Sequence, residues 1–336
     1  MRSRRHAPAS RDGEGQVRAA AIVSGKLVEV EGDETLERIP QWRAATKPKL
    51  WVDLTGPSRA QMERVGEALG LHPLIVEDVL EGNQRAKIET TDGLVHIVLF
   101  AFQHDEHNAI HEIDLVLAEG FLLTVHDADW DPRQANHLRE GLETILGHGP
   151  DRLLWAISDD IVDGYFPFAD RIGDAIDEVQ DSVIRKATPD TVERLFDLKR
   201  ELVEVRRAAS PTREVFNQLT NRELELIDPE DLIYFRDVYD HVIRLTDELD
   251  NYRELASSTL DVYLTQVNNN LSIIMKRLTG VTVILAGIGA VAGIFGMSEA
   301  GSAFSGAEAG GFWLVTAFAV VLAVVAAVVL RKIDWI

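Results

Sequence analysis

The chain has 336 residues, with 34 Lys and Arg against 55 Asp and Glu, a formal charge of −21 and no cysteine. The acid excess excludes a nucleic-acid partner, because phosphate binding needs a basic patch, and it suits a surface that gathers cations. Without cysteine there is no disulfide framework, thiol nucleophile or Cys-based zinc site.

In chain order, the opening MRSRRHAPASRDGEGQ lacks the apolar segment of a secretory signal and is predicted to be a disordered tail over 1–16. Residues 17–149 are predicted to form a mixed α/β domain. Its β-prone runs are Ala20–Val23, Lys49–Val52, Leu94–Phe102, Ile113–Ala118 and Phe121–Val125. Helical pieces fall at Ser58–Leu69 and Pro73–Leu80, and His104–His111 reads as a hairpin loop.

From Pro150 the apolar spacing turns helical, which predicts a helical stalk over 150–273. Thr188-Pro189 and Asp228-Pro229 each pair an N-cap with proline at the first helical position. Pro211 is expected to kink or break the middle helix. After Pro229 no proline follows, and no glycine until Gly280. One helix from about Pro229 to about Met297 is therefore predicted, on the order of 100 Å long at 1.5 Å per residue.

Two uncharged runs close the chain, Leu278–Ser298 and Ala309–Leu330. Each exceeds the roughly 18–20 residues that cross a bilayer as a helix. The predicted spans are 274–298 and 311–330, joined by a loop over 299–310 and followed by a basic end, 331–336. Lys276 and Arg277 precede the first span, Arg331 and Lys332 follow the second, and the loop carries only the acids Glu299 and Glu308. The positive-inside rule then puts both termini in the cytoplasm, with the chain a multi-pass protein of the plasma or inner membrane.

Along the first span Asn268, Ser272, Met275, Thr279, Thr282, Ala286, Gly289, Gly293 and Met297 share a small, polar or soft face. Val281, Ile284, Leu285, Ile288 and Ile294 make the opposite one. Polar residues inside a membrane usually line a water-filled path. The same face would also permit close helix packing through Gly289-x-x-x-Gly293, so spacing leaves both readings open. The glycines from Gly287 to Gly293 lie inside an apolar run rather than between a strand and a helix, which excludes a dinucleotide loop. His104, His107 and His111, near Asp105 and Glu106, read first as a polar hairpin, with zinc ligation as the alternative. No nucleophile–base constellation or phosphate loop is present, so an enzyme is not expected.

Several segments together resemble the CorA family of magnesium channels. They are Trp51-Val-Asp-Leu-Thr-Gly-Pro57, Gly70-Leu-His-Pro-Leu74, Glu77-Asp78, Gln84-Arg-Ala-Lys-Ile88, Tyr234-Phe-Arg-Asp-Val-Tyr-Asp-His241, Met275-Lys-Arg-Leu-Thr279, Ala292-Gly-Ile-Phe-Gly-Met297 and Arg331-Lys-Ile-Asp-Trp-Ile336. The resemblance implies an α+β cytoplasmic domain (α/β/α sandwich-like), long stalk helices and two C-terminal transmembrane helices, assembled as a funnel-shaped homopentamer in the lipid bilayer. It implies that the first span lines the pore and the second packs outside it. Asp237 would face a carboxylate near Asp105 of the next subunit, and divalent ions there would hold the closed state. Met275 and Leu278 match the family's hydrophobic gate, in a pore also lined by Ser272, Thr282, Ala286 and Gly289. The mouth reads Gly296-Met297-Ser298 where the family has Gly-Met-Asn, and Gly287 replaces its usual proline. Glu299 and Glu308 would form external acidic rings.

The function this implies is a divalent-cation channel for Mg2+, with Co2+ a further ion, driven by membrane potential and gated by cytoplasmic Mg2+. The departure at Ser298 keeps open a ZntB-like Zn2+ transporter, and also a non-conducting CorA-like sensor or scaffold.

Overall fold

The computed structural model describes residues 15–82, 84–103, 109–221, 224–296 and 308–332. Strands β1 (Gln16–Val23) and β2 (Lys26–Glu31) pair antiparallel around Ser24 and Gly25. Both turn residues have positive φ, the backbone twist a two-residue hairpin favours. Then follow α1 (Asp33–Arg43), β3 (Leu50–Thr55), α2 (Arg59–Leu69), α3 (Pro73–Glu81), β4 (Lys87–Thr91), β5 (Leu94–Gln103), β6 (Ala109–Ala118) and β7 (Phe121–His126). The seven strands run β2-β1-β3-β7-β6-β5-β4. β3 and β7 pair in parallel, and the other neighbours are antiparallel.

Alternation along the central strands creates two buried faces. Leu50, Val52, Leu54, Val116, Leu123 and Val125 meet α1–α3 on one of them. On the other, α5 (Pro150–Asp163) packs against β5, β6 and β7 after α4 (Asn136–His148). The result is the three-layered α/β/α domain that was expected. The edge strands β2 and β4 and helix α1 had no sequence prediction. Both edge strands are polar and largely unburied, and Pro40 lies inside α1. That helix persists because Ile39 and Trp42 are buried against the core. β1 starts at Gln16, within the expected tail. His111 lies in β6 opposite Ala101, not in a loop, because the β5–β6 pairing continues to Gln103 and Ala109.

A glycine sets the β6–β7 turn. Gly120 has φ +83°, and a Cβ there would collide with Pro48 Cγ. Gly120→Ala should cost roughly 1–2 kcal/mol from the left-handed backbone alone, and the collision adds to it. A drop in the thermal midpoint of the purified protein would show this; an unchanged midpoint would refute it.

The parallel pair carries a buried ionic cluster on its α5-facing side. Asp53 is 1 % exposed and accepts the Thr124 hydroxyl hydrogen bond. Trp51 Nε1 donates to the Thr124 hydroxyl oxygen at 3.0 Å. His126 Nε2 lies 3.1 Å from Asp53, and its Nδ1 lies 2.6 Å from the Asp127 carbonyl. Arg18 Nε stands 3.9 Å from the second Asp53 oxygen.

Helices α6 (Tyr165–Arg185), α7 (Pro189–Asn221), α8 (Leu232–Gly296) and α9 (Glu308–Lys332) complete the chain. Pro211 does not break α7. Val205, Ala209, Val215 and Phe216 around it are fully buried, and the Thr212 hydroxyl donates to the Ala208 carbonyl at 2.9 Å, occupying one carbonyl of that turn. α8 starts three residues after Pro229, because Asp228 caps a turn: its side chain accepts from Glu230 N at 2.9 Å and its carbonyl from Asp231 N at 2.8 Å. α9 starts at Glu308, inside the expected loop, and runs to Lys332. Two bases in the last turn, Arg331 and Lys332, complement its dipole. Of the described residues, those up to 178 with those of 194–256 cluster as one compact unit, and 179–193 with those from 257 on as another.

Candidate cation site and membrane-spanning helix

The Tyr234–His241 motif divides by helical face. Phe235, Val238 and Val242 are fully buried. Tyr234 stacks near Trp155 and holds the Arg152 guanidinium 3.9 Å above its ring, while Arg152 pairs with Asp231. This anchoring leaves Asp237 and His241, one turn apart, on the free face of α8. The Asp237 side chain is 71 % exposed.

Opposite them stand Asp159 and Asp163, one turn apart on α5. His241 Nδ1 lies 3.3 Å from Asp163 Oδ1, without the alignment of a hydrogen bond, and Nε2 lies 3.8 Å from Asp237 Oδ2. One donor atom each from Asp159, Asp163 and His241 falls within 4.8 Å of the others. Asp159 also takes a 3.0 Å bond from His137. Burial pushes the Asp159 carboxyl above the usual range; the His137 bond opposes this and the Asp163 charge reinforces it. Carboxylates held together at such a cost are stabilised by any cation that bridges them. Asp163 and Asp237 are the exposed carboxylates here, and each stands against His241.

Of the sequence-predicted regulatory pair, Asp237 is at this cluster, whereas Asp105 lies outside the described residues. Sequence reasoning missed Asp159, Asp163 and His137. The available signal was the i,i+4 spacing of the two aspartates ahead of Tyr165. His104 and His107 lie outside the described residues. His111 is buried, and its Nδ1 is 2.7 Å from Asp127 Oδ2.

The predicted pore residues Ser272, Met275, Leu278, Thr282, Ala286, Gly289 and Gly296 all lie on α8. The Ser272 and Thr282 hydroxyls donate back to the carbonyls of Asn268 (3.0 Å) and Leu278 (2.8 Å), which leaves oxygen lone pairs outward. Met275 and Leu278 are 64 % and 63 % exposed. Only 6 % of the most apolar stretch of α8 is buried within the single chain, so lipid or further subunits must cover it. Met297, Ser298 and Glu299 lie outside the described residues, and Glu308 opens α9.

A three-layered α/β domain with a 65-residue helix ending in an exposed, membrane-length apolar segment is the build of a membrane-anchored protein. The model of the family described as CorA-like Mg2+ transporter proteins matches residues 48–332. A cobalt/magnesium transport protein CorA of Thermotoga maritima is 36 % identical over 272 residues, covering 78 % of this chain and 76 % of the relative. The chain belongs to the CorA family of divalent-cation transporters and is not an enzyme. The complete CorA magnesium transporter of Methanocaldococcus jannaschii superposes with a TM-score of 0.76 at 22 % identity, over 95 % of this chain and 98 % of that one. The ZntB cytoplasmic domain of Vibrio parahaemolyticus reaches 0.59 at 15 % identity, over 76 % and 100 %. These two likenesses concern the fold alone.

Proposed function

We propose that this chain is the subunit of a homopentameric Mg2+ channel in the cell membrane, with Co2+ as a second permeant ion. The membrane potential drives entry, and cytoplasmic divalent ions at the Asp237 cluster favour the closed state. The observation that carries this reading is that Asp237, His241 and the small polar membrane face belong to one unbroken helix. A cation bound near its start therefore acts on the element that would line the pore. The family membership supports Mg2+, and the name of the Thermotoga relative supports both ions.

The proposed path passes the gate of Met275 and Leu278, the positions Ser272, Thr282, Ala286 and Gly289, and a mouth of Gly296, Met297 and Ser298. Glu299 and Glu308 would concentrate cations outside. A divalent ion gains about 4.6 kcal/mol on entry at about −100 mV, so no ATP site is required. Proteoliposomes with an imposed potential should take up Mg2+ and Co2+; no flux of any divalent ion would refute transport.

Asp237→Asn should weaken closure, so that flux persists when the cytoplasmic face is held in high Mg2+. Wild-type inhibition in that variant would remove Asp237 from regulation. Ser298→Asn separates the rival readings. A Mg2+ channel should change rate or selectivity, a ZntB-like zinc transporter should carry Zn2+ before and after, and a non-conducting scaffold should stay silent in both forms.

A further inference from the structure

A second candidate site lies on the other face of the sheet, between α3 and the strands β4 and β5. Asp78 projects from α3, Glu89 sits on β4, and His96 stands directly opposite Glu89 on β5. One donor atom from each falls within 4.8 Å of the others. His96 is 1 % exposed, and its Nε2 lies 2.8 Å from Asp114 Oδ1. A carboxylate has no proton to give, so Nε2 carries a hydrogen, and Nδ1 is the ring atom left to act as a ligand. That atom is buried and has no hydrogen-bond partner. Metal-binding histidines are characteristically held this way: one ring nitrogen donates to a carboxylate, which fixes the tautomer and aims the other at the ion.

A cation already occupies the carboxylates. Lys87 Nζ lies 2.6 Å from Asp78 and 3.1 Å from Glu89. The Lys87 bond holds the Asp78 carboxyl below its ordinary range. Burial alone would lower the Lys87 ammonium, but its bonds to Asp78 and Glu89 outweigh that and raise it. The Lys87 stem is flexible, and its head can return to water without losing its charge.

We propose that Asp78, Glu89 and His96, with Asp114 as the positioning residue behind the imidazole, form a site for a borderline-soft divalent ion of the zinc and cobalt class, which displaces the Lys87 ammonium. One imidazole nitrogen and two carboxylates, with a position left for water, suit Zn2+. Magnesium prefers oxygen ligands, so the imidazole favours the zinc and cobalt class here. A bound ion would tie α3 to the edge of the sheet, because the ligands come from both.

The test is Zn2+ titration of the chelator-treated full-length protein in detergent, by calorimetry and with Co2+ absorption as a second probe. Excess Mg2+ occupies oxygen sites, and a His241→Gln background removes the other imidazole. Glu89→Gln and His96→Gln should each weaken Zn2+ binding by about tenfold or more. Lys87→Met should tighten it, since the competing ammonium is gone. Glu89 is exposed and Lys87 is not part of the apolar core, so both variants stay informative if His96→Gln fails to fold. Isotherms of Glu89→Gln and Lys87→Met that superpose on the parent, or a parent that takes up no Zn2+, would overturn the site. Either result is independent of the flux experiments.

Discussion

Asp53→Ala is expected to lower the unfolding free energy by roughly 3–5 kcal/mol, the usual cost of stripping one partner from a buried ion pair. Domains hold about 5–15 kcal/mol in total, so this single change should threaten folding. The reason is local. Asp53 is the carboxylate that faces His126, Thr124 and Arg18 inside the sheet. Without it, His126 Nε2 and the Arg18 guanidinium lose their buried anion, and no water reaches His126, whose side chain is 0 % exposed. Chemical unfolding of the full chain in detergent measures the effect. A loss below about 1 kcal/mol, as for a surface pair, would show that the cluster is not held as described.

The same pair gives a pH signature. Burial opposes protonation of His126, but the hydrogen bond and charge of Asp53 outweigh it, so its pKa is raised above 6.5. Both ring nitrogens face acceptors, which only the imidazolium satisfies. A raised folded-state value means that this stability is fully present below about pH 6.5 and is lost as pH climbs through the raised value. Asp78 and Asp127 have lowered carboxyls and act only in the acid range. Between pH 6 and pH 9 the wild-type midpoint should fall, and the Asp53→Ala midpoint should be flatter.

The second large effect is on transport. Leu278→Asp should raise Mg2+ flux under closing conditions by on the order of tenfold or more. A hydrophobic constriction stops ions by excluding water, and each 1.4 kcal/mol taken from such a barrier is worth about tenfold in rate. Ile284→Asp is the control, since Ile284 lies on the opposite, apolar face of the span. It should impair insertion or assembly, because a charge facing lipid is costly, without opening a path. Equal flux from both variants would detach Leu278 from any gate.

Much of the fold was legible because it depends on short-range patterning. The strands Leu94–Gln103 and Phe121–His126 are mostly apolar, α2 opens on the Ser58–Gln61 capping box, and α8 has no proline and no glycine before Gly280. Where prediction failed, tertiary packing had overruled a local rule. Pro40 and Pro211 each lose a backbone hydrogen bond, yet burial of their neighbours keeps α1 and α7 helical. The edge strands β2 and β4 gave a weak signal because neither has a fully buried residue to mark a core face.

The candidate sites divide in the same way. The sequence by itself determined the membrane-length apolar runs, the acidic character and the family motifs, since each is a property of composition or of short segments, and Asp237 came only with those motifs. Only the tertiary structure decided which carboxylates meet a histidine. Asp163 and His241 are 78 positions apart yet 3.3 Å from each other, and His96 finds Asp114 on the neighbouring strand at 2.8 Å. Such pairs arise from helix docking and strand register, which bring together residues whose own neighbours in the chain give no sign of the partner.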